Sequence, residues 1–153
     1  MADSFLNQDF RDLLLALSAA SVRFVVVGAY AMAVHGQPRA TGDLDIWTEP
    51  TPENAQRVYR ALKEFGAPLH QVTEADFASP GIVFQIGLPP RRIDILTAID
   101  GVEFRTAWSA RVAAKYADVH FDVIGKADLI VNKRATGRPR DLLDADTLER
   151  GHG

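Results

Sequence analysis

Blocks of apolar residues along the chain change repeatedly between helical spacing and strand spacing. A broad apolar face at helical spacing predicts a first helix that Ser4 caps and that runs to about Ala20. The next block, RFVVV, is short, β-branched and continuously apolar, which is typical of a buried strand. Gly28 ends this strand, and AYAMAVHG predicts a short helix that closes at Gly36.

The middle of the chain predicts a strand, a long helix and a pair of strands. LDIWT is the strand, and Thr51, Pro52 and Gly66 are residue types expected at the two ends of the helix. A polar loop follows at residues 73–80. The runs GIVFQIGL and RRIDILTAI then predict two strands joined by a turn at Pro89-Pro90.

The last third of the chain predicts a short helix, a hairpin and two further helices. The short helix covers residues 103–110, the hairpin turns near Ala117-Asp118, and Gly137 and Pro139 separate the final helices. This order of elements predicts an α/β (α+β) fold with a central mixed sheet flanked by helices. No repeat or long linker divides the sequence, so we expect a single domain over residues 1–153.

Composition favours a soluble globular protein. Hydrophobic residues make up 47% and charged residues 24% of the chain, and cysteine is absent, which excludes disulfides, thiolate metal sites and cysteine nucleophiles. No apolar run approaches the roughly 20 residues of a membrane-spanning helix. The net charge of −3 argues against a chain built wholly to coat nucleic acid, but it allows a local basic patch. We therefore expect a cytoplasmic protein with no membrane partner.

Two aspartates lie one residue apart at the LDIWT strand and therefore share one of its faces. Asp43 and Asp45 repel each other unless a positive group lies between them, either a hydrated divalent cation or an arginine. Asp94 interrupts RRIDILTAI in the same way, so three carboxylates converge if the two strands are neighbours. Oxygen ligands without histidine or cysteine suit Mg²⁺ or Mn²⁺. The alternative for each aspartate is a solvated strand end or a turn.

Gly28 lies where a strand turns directly into a helix. Free backbone N–H groups and the positive end of a helix favour a phosphate at such a junction. A tight turn also needs glycine for conformational reasons alone. Gly28 supports a nucleotide site mainly because the acidic strand follows it closely in the chain.

The run VVGAYAMAVHGQPRATGDLDIW resembles the signature of the nucleotidyltransferase superfamily that includes DNA polymerase β. Within it, HGQPRATGDLDIW is similar to AbiEii-like and related small bacterial nucleotidyltransferase-like proteins, some of which act as toxins, and so is the later run LIVNKRATGRPRDLLDADTL. The likeness extends from about residue 22 to residue 148. It implies a nucleotidyltransferase fold.

The resemblance also implies roles for residues of the signature. Asp43 and Asp45 would hold two metal ions, Mg²⁺ or Mn²⁺. Asp94 would hold the catalytic metal and help to activate the acceptor hydroxyl. Gly28 would line the triphosphate, and Ala29 stands where the commonest form of the motif has serine or glycine, so it would offer backbone amides but no hydroxyl.

Further residues are implied in nucleotide binding. Arg39 and Thr41 would orient the loop before the acidic strand, with Arg39 able to reach a substrate phosphate; contacts with local backbone carbonyls are the alternative. Lys133 would bind the triphosphate as a mobile point charge, unless it belongs to an exposed helix end. Arg138 and Asp141 are expected to fix the turn between the last two helices.

The implied function is metal-dependent transfer of a nucleoside monophosphate from a nucleoside triphosphate (NTP) to an acceptor hydroxyl. The acceptor could be an RNA 3′ end such as that of tRNA, a protein or a small molecule, and the protein could be a toxin–antitoxin component. The alternative is a catalytically silent nucleotide-binding or protein-interaction module with the same fold, which Ala29 favours. The small size implies either a small acceptor or a partner chain that completes the acceptor site.

Overall fold

A computed structural model describes residues 7–38, 43–116 and 118–151. These residues form one six-stranded mixed sheet with the strand order β3-β4-β2-β1-β6-β5, and helices pack against it. The predicted fold class, α/β with a central mixed sheet flanked by helices, is confirmed. The strands are β1 Phe24–Val27, β2 Leu44–Thr48, β3 Val83–Ile86, β4 Ile93–Leu96, β5 Val112–Tyr116 and β6 Val119–Val123.

Six α-helices accompany the sheet in the described residues, and none is both long and apolar enough to cross a membrane. All six correspond to helices predicted from the sequence. They are α1 Gln8–Ala19, α2 Gly28–Val34, α3 Pro52–Phe65, α4 Phe104–Ser109, α5 Lys126–Thr136 and α6 Pro139–Arg150.

The ends of three helical segments test the predicted caps. In α3, Thr51 caps the amino end and Gly66 adopts the left-handed conformation at the carboxyl end, as predicted. The cap of α1 is Asn7, whose side chain accepts a hydrogen bond from the Phe10 N–H at 3.0 Å, whereas the expected cap Ser4 lies outside the described residues. The predicted loop at 73–80 contains a 3₁₀ helix, Glu74–Ala78, because Thr73 begins it with a capping box.

The pairing of β2 brings the acidic residues of two strands together. β2 is antiparallel to β1 on one side and parallel to β4 on the other. In this register Asp45 lies opposite both Val27 and Asp94. The end of β1, the start of β2 and the start of β4 therefore meet at one edge of the sheet.

The opposite face of the central strands anchors this arrangement in the core. Leu44 and Ile46 of β2 and their partners Ile93 and Ile95 of β4 are at most 1% exposed. Because side chains alternate across a strand, burial of these four residues turns the intervening aspartates to the other face. A slip of one residue would bury the carboxylates among aliphatic side chains, so the core fixes the register of the acidic face.

Candidate functional site

Three aspartates converge at the edge where β2 and β4 begin. Asp45 and Asp94 are direct neighbours across the parallel strands, and Asp43 precedes β2 on the same face. Asp94 is 7% exposed, whereas Asp43 and Asp45 are half-buried. The three carboxylates were expected to converge if their two strands were neighbours, and β2 and β4 are paired directly.

Arg92 supplies positive charge to two of the three carboxylates. Its Nε lies 2.9 Å from Asp94 Oδ1, and its Nη2 lies 3.3 Å from Asp94 Oδ2 and 3.3 Å from Asp43 Oδ2. Because Arg92 and Asp94 are two residues apart at the start of β4, their side chains emerge on the same face. Arginine, one of the two positive groups that could separate the aspartates, therefore bridges Asp43 and Asp94.

Asp45 is the least neutralised carboxylate of the group. Burial, followed by the charges of Asp94 and Asp43, raises the pKa of Asp45 to about 6, and Arg92 offsets only part of this effect. A hydrogen bond between the side chains of Asp45 and Asp94 also favours the protonated form. This corner of the site therefore has more negative charge than Arg92 balances.

Gly28 is required next to Asp45 for two separate reasons. Its φ of +69° lies in the left-handed region that favours glycine. A Cβ at this position would also lie 2.1 Å from Asp45 Oδ2 and 3.2 Å from Asp45 Cβ. The turn from β1 to α2 can approach the acidic strand this closely only because residue 28 has no side chain.

A second group of charged residues lies on the α5–α6 hairpin. Lys133 Nζ is 3.2 Å from Asp141 Oδ1 and 3.2 Å from Asp144 Oδ2. Asp141 also accepts hydrogen bonds from Thr136 Oγ1 and Arg138 Nε, each at 2.7 Å. Burial alone would raise the pKa of Asp141, but these hydrogen bonds and the Lys133 charge hold it below its usual value. The predicted contact that fixes the turn, Arg138 with Asp141, is present.

The two groups face a common cleft of about 650 Å³. We call its acidic side the strand wall (Asp43, Asp45, Arg92, Asp94) and its other side the hairpin wall (Lys133, Arg138, Arg140, Asp141, Asp144). Gly28 and Ala29 also line the cleft, with an apolar remainder of Met32, Val83 and Leu96. The cleft thus brings together six of the eight residues predicted for the site.

The other two predicted residues, Arg39 and Thr41, lie outside the described residues. Two aromatic side chains near the signature do not line the cleft: Trp47 packs edge-on against Phe104, and Tyr30 packs edge-on against Phe10. Both are at most 4% exposed, so they offer no stacking surface to a base.

The strand wall fits a hard divalent cation by its chemistry. Its donors are carboxylate oxygens, and burial together with the charges of Asp94 and Asp43 raises the pKa of Asp45, an effect that a cation would oppose. Within residues 7–38, 43–116 and 118–151, however, no three acidic or histidine side chains are arranged to enclose an ion.

Sequence reasoning gave no role to Arg92 and Asp144, two charged residues of the cleft. Arg92 could have been found from its spacing, because it lies two residues before Asp94 and therefore shares its face. Asp144 had no such signal: its pairing with Lys133 depends on how α5 and α6 cross, which spacing along the chain does not specify.

A scan of protein-family models finds no match to this chain, and a search of curated proteins finds none either. Among solved structures, the chain is similar to a provisionally assigned nucleotidyltransferase from Thermotoga maritima, with a TM-score of 0.58 and 18% sequence identity. The alignment covers 92% of this chain and 88% of that one. At this identity the likeness shows the fold: the protein has a nucleotidyltransferase fold, as its signature predicted.

Proposed function

We propose that this protein is a metal-dependent nucleotidyltransferase that moves a nucleoside monophosphate from an NTP to an acceptor hydroxyl. The observation that carries the proposal is the in-register pairing of Asp45 with Asp94 in a cleft whose other wall is rich in cations. The nucleotidyltransferase fold is consistent with this chemistry. Because one fold can host many functions, the proposal depends mainly on the charged residues of the cleft.

Asp43, Asp45 and Asp94 would hold Mg²⁺ or Mn²⁺ in the active protein, and Arg92 would share Asp43 and Asp94 with the ions. Bound there, such ions would neutralise negative charge that develops on the phosphoryl oxygens. Gly28 and Ala29 would line the nucleotide phosphates. Lys133 stays a predicted phosphate ligand, as do Arg39 and Thr41.

The reaction makes one phosphorus–oxygen bond and breaks another. The acceptor oxygen attacks the α-phosphorus of the NTP, and the bond between this phosphorus and the oxygen bridging to the β-phosphorus breaks to release pyrophosphate. As the resemblance implies, Asp94 would help to activate the acceptor hydroxyl, by orienting it and receiving its proton. The two walls of the cleft would hold the acceptor hydroxyl and the NTP in line for the attack.

The acceptor is proposed as an RNA 3′ end such as that of tRNA, a protein or a small molecule. The resemblance to AbiEii-like proteins favours transfer to tRNA by a toxin–antitoxin component of the cytoplasm as the first case to test. A partner chain that completes the acceptor surface would accommodate a large acceptor on so short a chain.

A catalytically silent nucleotide-binding or protein-interaction module is the second candidate. The observation that favours it is Arg92, which already contacts two of the three carboxylates. A permanent guanidinium in this place would keep the cleft folded without any metal ion. Ala29 supports the same reading, because it supplies no hydroxyl to a phosphate.

Transfer of label from the α-phosphate tests the two candidates. The protein is incubated with Mg²⁺, each α-labelled NTP in turn and an extract that contains RNA and protein. We expect label on a macromolecule, and we expect Asp94→Asn to lower the initial rate about 10³-fold because it removes a charge at the reacting centre.

Asp100→Asn is the matched control, because Asp100 is an exposed aspartate shortly after β4 that does not line the cleft. It should keep the wild-type rate. NTP binding without transfer to any acceptor would favour the silent module, and equal rates for Asp94→Asn and wild type would contradict the proposed site.

A further inference from the structure

The cations of the hairpin wall differ in how much of their charge is already neutralised. Lys133 lies between the carboxylates of Asp141 and Asp144 at 3.2 Å each, and its side chain is only 14% exposed. Two carboxylates at this distance offset the charge of one ammonium group and occupy two of its three N–H donors. Lys133 therefore contributes little net positive charge to the cleft.

Arg138 is neutralised in part. Its Nε donates to Asp141 Oδ2 at 2.7 Å, but its side chain is 73% exposed, so the ends of the guanidinium group face solvent. Asp141 already has Lys133 and Thr136 as partners. Arg138 thus keeps some capacity to donate to an anion, although its position is set by the contact with Asp141.

Arg140 differs from both because it lines the cleft, is exposed, and makes no ion pair with any residue that the structure describes. It follows Pro139, the first residue of α6, so the rigid start of this helix fixes where its side chain originates. A guanidinium group keeps its charge at any pH of interest and presents paired N–H donors that match phosphate oxygens.

The strand wall cannot supply this positive charge. Three carboxylates there face the single guanidinium of Arg92, and that group is already in contact with Asp43 and Asp94. A triphosphate that enters the cleft would therefore need cations from the opposite wall for the oxygens that point away from the aspartates. Of the three cations on the hairpin wall, Arg140 is the one whose positive charge is least neutralised.

We infer that Arg140 binds the polyphosphate of the nucleotide and makes the cleft prefer triphosphates to monophosphates. The inference rests on the proposed function and assigns the selectivity of that site to one residue. Arg138 assists, and Lys133 acts mainly by holding Asp141 and Asp144 in place. The competing role for Arg140 is to bind the phosphate backbone of an RNA acceptor. The same experiment distinguishes this role from binding of the nucleotide.

The test measures dissociation constants by calorimetry for ATP, AMP and inorganic tripolyphosphate, with Mg²⁺ present, for wild type and Arg140→Gln. We expect Arg140→Gln to weaken ATP and tripolyphosphate binding about tenfold, the size of one lost charge-assisted contact, and to leave AMP binding nearly unchanged. Arg150→Gln is the matched control, because Arg150 is an exposed arginine at the other end of α6 that does not line the cleft.

Each other outcome overturns the inference in a recognisable way. If wild type binds ATP and Arg140→Gln binds it equally well, the inference is wrong and the proposed function stands. Equal losses for ATP and AMP, or weaker binding of tRNA with unchanged ATP affinity, would assign Arg140 another role. Wild type that binds neither ATP nor tripolyphosphate would remove the inference and the proposed function together.

Discussion

The strand wall and the hairpin wall hold buried carboxylates in opposite electrostatic states. On the strand wall, burial and neighbouring acids raise the pKa of Asp45 to about 6. On the hairpin wall, burial also acts to raise the pKa of Asp141, yet hydrogen bonds from Thr136, Lys133 and Arg138 hold it below the usual value. Burial raises the pKa of both carboxyls, so their neighbours make the difference: acids beside Asp45, and hydroxyl and cationic donors beside Asp141.

This difference separates a structural cluster from a candidate binding site. The hairpin wall satisfies its own carboxylates, which stabilises the contact between α5 and α6. The strand wall holds carboxylates that repel one another, which lowers stability. Groups whose pKa is shifted in this way are typical of functional sites. If the comparison holds, substitutions on the hairpin wall should lower stability, and removal of a strand-wall carboxylate should not.

The largest expected effect on stability comes from a pair of glycines, one near each wall. Gly28 and Gly137 have nearly equal φ values of +69° and +70°, but a Cβ would meet Asp45 at Gly28 and would meet nothing within 4 Å at Gly137. We expect Gly137→Ala to cost about 1 kcal/mol, the left-handed strain alone. Gly28→Ala should cost about 4 kcal/mol, because it also displaces the half-buried Asp45 side chain.

Urea unfolding of the two variants measures this difference directly. Gly137→Ala serves as the control for backbone strain, since the substitution and the conformation are the same. Equal losses of unfolding free energy in the two variants would mean that Asp45 moves away from Gly28 at no cost, and that the strand wall is not rigid.

The next largest effect is expected on the hairpin wall. Lys133→Met keeps the length of the side chain but leaves Asp141 and Asp144 without their shared ammonium group. Loss of one partner of a buried ion pair costs about 3 kcal/mol, which corresponds to roughly 10 °C in Tm for a chain of this size. Thermal unfolding followed by circular dichroism gives the change.

Lys115→Met is the control, because Lys115 is an exposed lysine on β5 that lies outside this cleft. A Tm for Lys133→Met that equals the control value would show that the cluster does not support the hairpin. Lys133 would then remain the predicted triphosphate ligand and nothing more.

Much of the fold could be predicted because helix ends carry local chemical signals. Thr51, Pro52 and Gly66 specify α3 through side-chain and backbone preferences that do not depend on the rest of the molecule. The same rules were less exact at the start of α1, where the cap is Asn7 and Ser4 was the only cap expected. The 3₁₀ helix after Thr73 was missed because a polar segment and a capping box share the same residue types.

The site could be predicted only in part, for a different physical reason. Alternation along a strand shows which face Asp45 and Asp94 occupy, but it does not show that β2 and β4 are neighbours. That pairing depends on the whole sheet. The partners of Lys133 depend likewise on the crossing of α5 and α6, so the sequence alone could not distinguish a free phosphate ligand from a neutralised one.

The smallest effect concerns the pH dependence of stability without metal. The pKa of Asp45 rises from 3.8 to about 6 on folding, so the folded state binds this proton more tightly than the unfolded state. Stability should therefore increase as the pH falls from about 6 to about 4. The full shift corresponds to about 3 kcal/mol, and water in the open cleft reduces this to about 2 kcal/mol.

Urea unfolding between pH 7 and pH 4 in EDTA measures this gain as the difference between wild type and Asp45→Asn, in which the titrating groups other than the neighbours Asp43 and Asp94 cancel. Asp141 does not interfere, because a carboxyl whose pKa is lowered loses its stabilising effect only as the pH falls below its ordinary value of 3.8. Asp100→Asn is the control and should follow wild type throughout. Parallel curves for wild type and Asp45→Asn would place the two walls in the same electrostatic state, because Asp45 would then be as well neutralised as Asp141.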